Sequence, residues 1–140
     1  MPIGGADMPV VISFTVETDG RLPTGQTLKD AISTVDLATG SAPTYYMINC
    51  AHPDHCRDAI AKGEGWVNRI GGLRANASRL SHAELDVAEK LDDGNPTEFG
   101  DLHAELATML PNLRVIGGCC GSDARHVGCV SQHLHKRQAA

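Results

Sequence analysis

The stretch Val115-Ile116-Gly117-Gly118-Cys119-Cys120-Gly121 places two adjacent thiols directly after a short apolar run. The β-branched residues predict a buried strand of the parallel type. The glycines let the backbone turn and keep bulky side chains away from the two sulfurs. Adjacent residues on a regular strand point to opposite faces, so both cysteines reach one target only if the strand has ended. We therefore place Cys119 and Cys120 in a loop at the carboxyl end of a strand, where parallel α/β folds build their sites.

The rest of the chain repeats a unit of apolar strand, polar loop and amphipathic helix. Strands are predicted at Met8–Val16, Ala42–Asn49, Ile70–Ala75 and Leu113–Gly118. Three helices are predicted at Gln26–Thr39, which Gly40 ends, at Pro53–Lys62 and at Asn95–Met109. A further helix begins at the capping box of Ser81 and is expected to direct Leu85, Ala88 and Leu91 inward. The last helix follows Asp123 and is expected to direct Val127, Val130 and Leu134 inward.

Strands alternating with helices predict an α/β fold with right-handed crossovers and a parallel sheet. The order of elements alone fits an open doubly wound sheet and part of a closed barrel equally well. No GxGxxG or P-loop pattern follows any strand, which disfavours a nucleotide-binding site of either kind.

Length and composition narrow the class of protein further. The 140 residues suit a single domain, and 12 basic against 17 acidic residues give a net charge of −5 with no block of like charge. We expect no nucleic-acid partner and no membrane partner, since no basic patch, secretory signal or apolar run of about 20 residues is present. Five cysteines without an export signal favour a reducing compartment, by default the cytoplasm, and thiols that bind metal or do chemistry.

A third cysteine occupies a position equivalent to the vicinal pair. Cys50 directly follows the strand that ends at Asn49, and the carboxyl ends of parallel strands share one edge of the sheet. The sulfurs of Cys50, Cys119 and Cys120 can therefore converge although they are distant in the sequence. Three thiolates suit zinc, and three protein ligands with one open position define a catalytic metal site.

Other interpretations of these side chains stay open at this point. A cysteine at a strand end is often a small buried apolar residue, and vicinal cysteines can form a strained redox disulfide. Cys56 and Cys129 fall on predicted helices and are expected to be inert. His52 and His55 lie near Cys50 and are the histidines best placed to support a metal ligand, whereas His82, His133 and His135 fit a solvated surface.

The segments YYMINC, IGGLRANAS and RVIGGCCGSDARHV resemble the homocysteine S-methyltransferase family, which includes S-methylmethionine-dependent and betaine-dependent enzymes. The resemblance covers the chain from about Val10 to His126. It implies zinc held by Cys50, Cys119 and Cys120. Asn49 and His126 stand at family-typical positions with an implied supporting role around the metal site.

The resemblance also implies a (β/α)8 TIM barrel, of which four β/α units match the C-terminal half. Residues 1–140 are thus expected to be a single partial homocysteine-binding and methyltransferase domain, with the groups that contact the homocysteine amino end supplied by the other half. The implied function is zinc-dependent methyl transfer from a sulfonium or ammonium donor to homocysteine, giving methionine. The alternative is a truncated or split half-barrel that is inactive alone, keeps only zinc binding, or needs a homodimer or N-terminal half-barrel partner. Whether the chain alone is an enzyme therefore stays open at this stage.

Overall fold

The structure, a computed structural model, describes residues 8–139, with side chains described through residue 135. The elements in chain order are β1 (Val11–Thr15), α1 (Leu28–Thr39), β2 (Tyr45–Asn49), α2 (Pro53–Ala61), a 3₁₀ helix (Gly65–Arg69), β3 (Ile70–Ala75), α3 (His82–Asp86), α4 (Pro96–Met109), β4 (Val115–Gly118) and α5 (Ala124–Ala139).

The four strands form one parallel sheet in the order β1-β2-β3-β4. Each strand pairs with the next along the chain, and helices connect them, so the predicted α/β class is confirmed. The arrangement is consistent with half of a (β/α)8 barrel. β3 matches its predicted bounds, whereas β1, β2 and β4 begin later than predicted. Pro9 and Pro43 precede the first two strands and cannot donate to a sheet ladder, which explains the late starts of β1 and β2.

Side chains fix where the helices begin and end. The Thr27 hydroxyl accepts a hydrogen bond from the Asp30 N–H at the start of α1, and Gly40 ends that helix with φ 64° and an N–H bonded to the Asp36 carbonyl. Asn95 caps α4 in the same way through the Glu98 N–H. Within the part of the chain that the structure describes, no helix combines the length and apolar character needed to cross a bilayer.

The hydrophobic core lies between one face of the sheet and the helices. Alternate strand residues supply the sheet's share, including Val16, Tyr46, Ile48 and Leu73. The helices contribute a matching set of buried side chains, namely Leu28, Ile32, Cys56, Ile60, Leu106 and Leu110. A smaller cluster of Ala75, Phe99 and Val130 extends the core toward α5. The parallel strand ends are therefore fixed by one continuous packed layer.

Three residues predicted to face inward are exposed, namely Ala88, Leu91 and Val127. The capping box at Ser81 forms, but α3 ends at Asp86, buries no residue, and leaves Ala88 exposed and Leu91 78 % exposed. So short a helix has too little apolar surface to hold a face against the core. In α5, Val130 is buried as predicted, whereas Val127 is 44 % exposed.

The opposite face of the sheet is open among the described residues. It carries Val11, Ser13 and Thr15 of β1, Met47 and Asn49 of β2, Gly72 and Arg74 of β3, and Val115 and Gly117 of β4, paired across the strands in register. Val11 and Val115 are each about two-fifths exposed there, at 41 % and 40 %. Parallel sheets normally have both faces covered, so this uncovered face corresponds to the inner face of a barrel sheet.

One ionic cluster joins α1, β2 and the 3₁₀ helix. The Asp36 carboxylate accepts hydrogen bonds from Arg69 Nε (3.0 Å) and Nη2 (2.9 Å) and from the Tyr46 hydroxyl (2.7 Å). The Arg69 guanidinium also stacks over the Tyr46 ring at 5.2 Å. Chiefly because of the hydrogen bond from Arg69, the pKa of Asp36 lies below its usual value.

We expect Asp36→Asn to lower the free energy of unfolding by about 1–3 kcal/mol at neutral pH, since it removes a charge-assisted pair. The lowered pKa makes the carboxylate's contribution complete above about pH 4 and lost as the pH falls through the folded-state value. The gap between wild type and Asp36→Asn should therefore narrow in acid, as measured by urea unfolding at several pH values. Asp58→Asn is the control, because Asp58 is exposed and its carboxylate bonds to no described residue. Equal losses in the two variants would contradict the assignment.

Candidate metal centre

The ends of β2 and β4 bring two cysteines together across β3. The Cys50 N–H donates to the Arg74 carbonyl (3.0 Å), and the Cys119 N–H donates to the Ala75 carbonyl (2.8 Å). Both residues therefore continue the sheet ladder onto the last residues of the same central strand. Their Sγ atoms lie 2.8 Å apart.

The backbone of Cys50 has an unusual conformation. Its φ is 56°, in the left-handed region, which costs a residue with a Cβ about 1–2 kcal/mol. The turn ends β2 at once and leads into His52, whose ring nitrogen accepts the Asp54 N–H and caps α2. Pro53 then occupies the first turn of that helix. Local sequence thus forces the chain to leave the sheet at Cys50, and the thiol remains at the sheet edge.

Asn49 connects the Cys50 sulfur to β1. Its Nδ2 group donates to Cys50 Sγ (3.3 Å) and to Thr15 Oγ1 (3.1 Å), while its Oδ1 accepts from the Ser13 hydroxyl (2.5 Å). An amide N–H directed at sulfur favours the thiolate form over the thiol. Ser13 and Thr15 were missed from the sequence, although their alternation in β1 marked them as sharing a face.

The loop after β4 is held by polar contacts of its backbone. Ser122 donates to the Cys119 carbonyl from its hydroxyl (2.7 Å) and from its N–H (3.1 Å). A Cβ on Gly118 would lie 2.0 Å from the Ser122 hydroxyl oxygen, so a larger residue at the end of β4 would displace the Ser122 side chain. The Cys120 N–H donates to Asn76 Oδ1 (3.1 Å), and the Cys120 carbonyl accepts from the Ala77 N–H (3.0 Å).

The three predicted ligands are not equally placed. Cys50 and Cys119 are half-buried and touch, whereas Cys120 is exposed. Among residues 8–139, no group of three histidine, cysteine or acidic side chains is already gathered as a metal cage. Cys120 is the next residue after Cys119, and it lines an open pocket together with Leu85, Leu91 and Asp92.

The donor set is compatible with zinc. Two thiolates bound tetrahedrally at about 2.3 Å stand roughly 3.8 Å apart, so the Cys50 and Cys119 sulfurs need to separate by about 1 Å. Cys120, which is exposed and makes no sulfur contact, would have to bring its thiol to this pair to act as a third soft donor. Three such donors leave one position of a tetrahedron for a substrate.

Burial is the main influence on the pKa of two cysteines, Cys50 and Cys56. It raises the pKa of Cys50, as does the hydrogen bond with Cys119, while the Asn49 amide and the positive charge of Arg74 oppose the increase. Cys56 is fully enclosed in the core, and burial raises its pKa to about 12. Cys56 is therefore an inert structural thiol, as expected from its helix.

The histidines near the site bond to backbone rather than to sulfur. His126 is completely buried, with Nε2 2.6 Å from the Asp93 carbonyl and Nδ1 accepting the Asp123 N–H at 3.0 Å. His55 Nε2 lies 3.0 Å from the Arg79 carbonyl. His52 is buried, which is the main reason its pKa falls to about 4, so it stays neutral. Any support these rings give to the cysteines is exerted through the loops they hold.

We expect mild oxidation of the metal-free chain to join Cys50 to Cys119, because those sulfurs are already in contact. Peptide mapping by mass spectrometry should find that cross-link, with Cys56 and Cys129 left as free thiols. Cys119→Ser should abolish the Cys50 cross-link, whereas Cys129→Ser, the control, should preserve it. A predominant Cys119–Cys120 disulfide would contradict the observed placement of the side chains.

Comparison with known proteins agrees with the chemistry of these strand ends. No solved structure matches the chain significantly. A family model described as homocysteine S-methyltransferase matches residues 3–134, which is nearly the whole sequence. The match includes β1 to β4 and all three cysteines at the sheet edge. The chain therefore belongs to the homocysteine S-methyltransferase family.

Proposed function

We propose that this chain binds one zinc ion through Cys50, Cys119 and Cys120 and takes part in methyl transfer to the thiol of homocysteine, giving methionine. The observation that carries the proposal is the contact between the Cys50 and Cys119 sulfurs at adjoining strand ends of a chain from this family. The donor is a sulfonium or a quaternary ammonium compound. The proposal adds a specific metal site and a specific reaction to the family assignment.

The reaction needs a substrate sulfur that is a nucleophile at neutral pH. Zinc, when bound, supplies this by lowering the pKa of a coordinated thiol, whose proton passes to solvent. The substrate sulfur then forms a bond to the methyl carbon as the bond from that carbon to the donor's sulfur or nitrogen breaks. The donor loses its positive charge and departs as a neutral sulfide or tertiary amine.

The chain's own residues orient and stabilise the thiolates. Asn49 donates to the Cys50 sulfur and is itself held by Ser13 and Thr15, so the amide cannot rotate away. Ser122 fixes the carbonyl of Cys119. Three thiolates carry more negative charge than zinc neutralises, which keeps the bound sulfur electron-rich and attracts a cationic donor.

A second arrangement is favoured by the open face of the sheet. Among the described residues, that face is bare of helices and both edge strands, β1 and β4, have one unpaired side. We propose as the alternative that the chain retains zinc but transfers methyl groups only with a partner, either a second copy or an N-terminal half-barrel. A bare sheet face and open edges support the alternative, since both favour association. A reducing compartment, the cytoplasm, would keep the thiols available as ligands.

We expect the full chain, purified under reducing conditions, to hold about one zinc ion, measured by elemental analysis of the peak whose molar mass is determined. Cys50→Ser should lose most of the zinc, while Cys129→Ser, which changes a thiol outside the site, should keep it. Retention should weaken as the pH falls, because the ligands must lose protons to bind. Equal zinc in both variants would contradict the assigned ligands.

The same preparations decide between the two arrangements. Methyl transfer to homocysteine by a zinc-loaded monomer supports catalysis by the chain alone. Activity that appears only in a dimer, or after a separate N-terminal half-barrel is added, supports the alternative. A zinc-loaded protein inactive in every such mixture, with both donor classes tested, would overturn the proposed reaction.

A further inference from the structure

Arg74 is a positive charge on the open face of the sheet, beside the cysteines. It lies in register with Asn49 on one side and Gly117 on the other, in the last paired row before Cys50. Its side chain is exposed and makes no hydrogen bond or ion pair with any described residue. This row of the open face therefore consists of the Asn49 amide, the Arg74 guanidinium and Gly117, which has no side chain.

The other arginines with described side chains are all engaged. Their guanidinium groups donate to carboxylates or to backbone carbonyls, as seen for Arg21, Arg57, Arg69, Arg79, Arg114 and Arg125. Within that set, Arg74 alone has a guanidinium that bonds to no described residue. A guanidinium presents a planar fork of donors that matches a carboxylate.

The side chain of Arg74 runs toward the strand that carries Cys119. A Cβ placed on Gly117 would lie 3.9 Å from Arg74 Cγ, so the arginine stem passes beside this glycine. The backbone of Arg74 also meets Cys50 directly, because the Cys50 N–H donates to the Arg74 carbonyl at 3.0 Å, and the next residue, Ala75, accepts the Cys119 N–H. Arg74 therefore lies at the strand end that carries the two cysteines.

We propose that Arg74 is a specificity-determining residue that binds the carboxylate of the thiol substrate while the substrate sulfur occupies the metal site. This rests on the proposed function and adds to it the group that selects a carboxylate-bearing thiol over one without a carboxylate. Asn49 and Gly117 flank the position, and the absence of a side chain at Gly117 leaves room for the ligand. Binding forms no covalent bond at Arg74 and transfers no proton there.

The test measures thiol binding to the zinc-loaded full chain by calorimetry under reducing conditions. The two probes are homocysteine and aminopropanethiol, which is the same molecule without its carboxylate. We expect Arg74→Gln to weaken homocysteine binding about 10- to 100-fold, the effect of losing a charge-assisted pair. Aminopropanethiol binding and zinc content should stay unchanged in this variant. Arg74→Lys should lose less affinity for homocysteine than Arg74→Gln, because lysine keeps the positive charge although it lacks the planar fork of donors.

Arg114→Gln is the matched control, because Arg114 precedes β4 at the other end of the strand and bonds only to carbonyls. It should bind both thiols as the wild type does. The assignment of Arg74 is overturned if Arg74→Gln binds homocysteine as tightly as the wild type, or if it weakens the binding of both thiols equally. In either case zinc-dependent thiol binding stands. If the zinc-loaded wild type binds neither thiol, the proposed function is rejected and this assignment with it.

Discussion

The site depends on the parallel register that β3 imposes on its two neighbours. Arg74 and Ala75, the last residues of β3, accept the N–H groups of Cys50 and Cys119. Those two hydrogen bonds bring residues distant in the sequence to one edge of the sheet, and the helix layer on the other face keeps the strands from sliding. A shift of one residue in either pairing would turn one thiol to the opposite face, because strand side chains alternate. Backbone pairing alone is therefore enough to bring the two thiols together.

Much of the fold, and the proximity of Cys50 to Cys119, could be predicted from residue patterns. β-branched runs marked the strands, and Thr27, Asn95 and the Ser81 capping box marked helix starts through side-chain hydrogen bonds that are local in sequence. The proximity of Cys50 and Cys119 followed from the rule that parallel strands end at the same edge. Such features need no knowledge of how distant segments pack.

Features that depend on tertiary register escaped prediction. The Ser13 and Thr15 contacts to Asn49 require the pairing of β1 with β2, which no local pattern specifies. Leu91 was predicted to be buried because its spacing is helical, yet α3 ends before it and nothing among the described residues covers it. The exposure of Cys120 is determined by the loop's bonds to Asn76 and Ala77, residues remote from it in sequence.

The two faces of the sheet differ in polarity. The packed side contains apolar side chains, while the open side presents polar and small residues near the cysteines, among them Asn49, Arg74 and Gly117. A face built only for burial would continue the apolar pattern to the strand ends. The change from apolar to polar toward the carboxyl edge is what a ligand site requires, and it occurs in the same row of residues that lies beside the thiols.

Zinc X-ray absorption on the full chain, with and without homocysteine, counts the sulfur atoms bound to the metal. We expect three sulfur neighbours at about 2.3 Å, rising to four when homocysteine is added. Two sulfur neighbours with nitrogen or oxygen completing the shell, unchanged by homocysteine, would contradict a three-thiolate site that accepts the substrate sulfur.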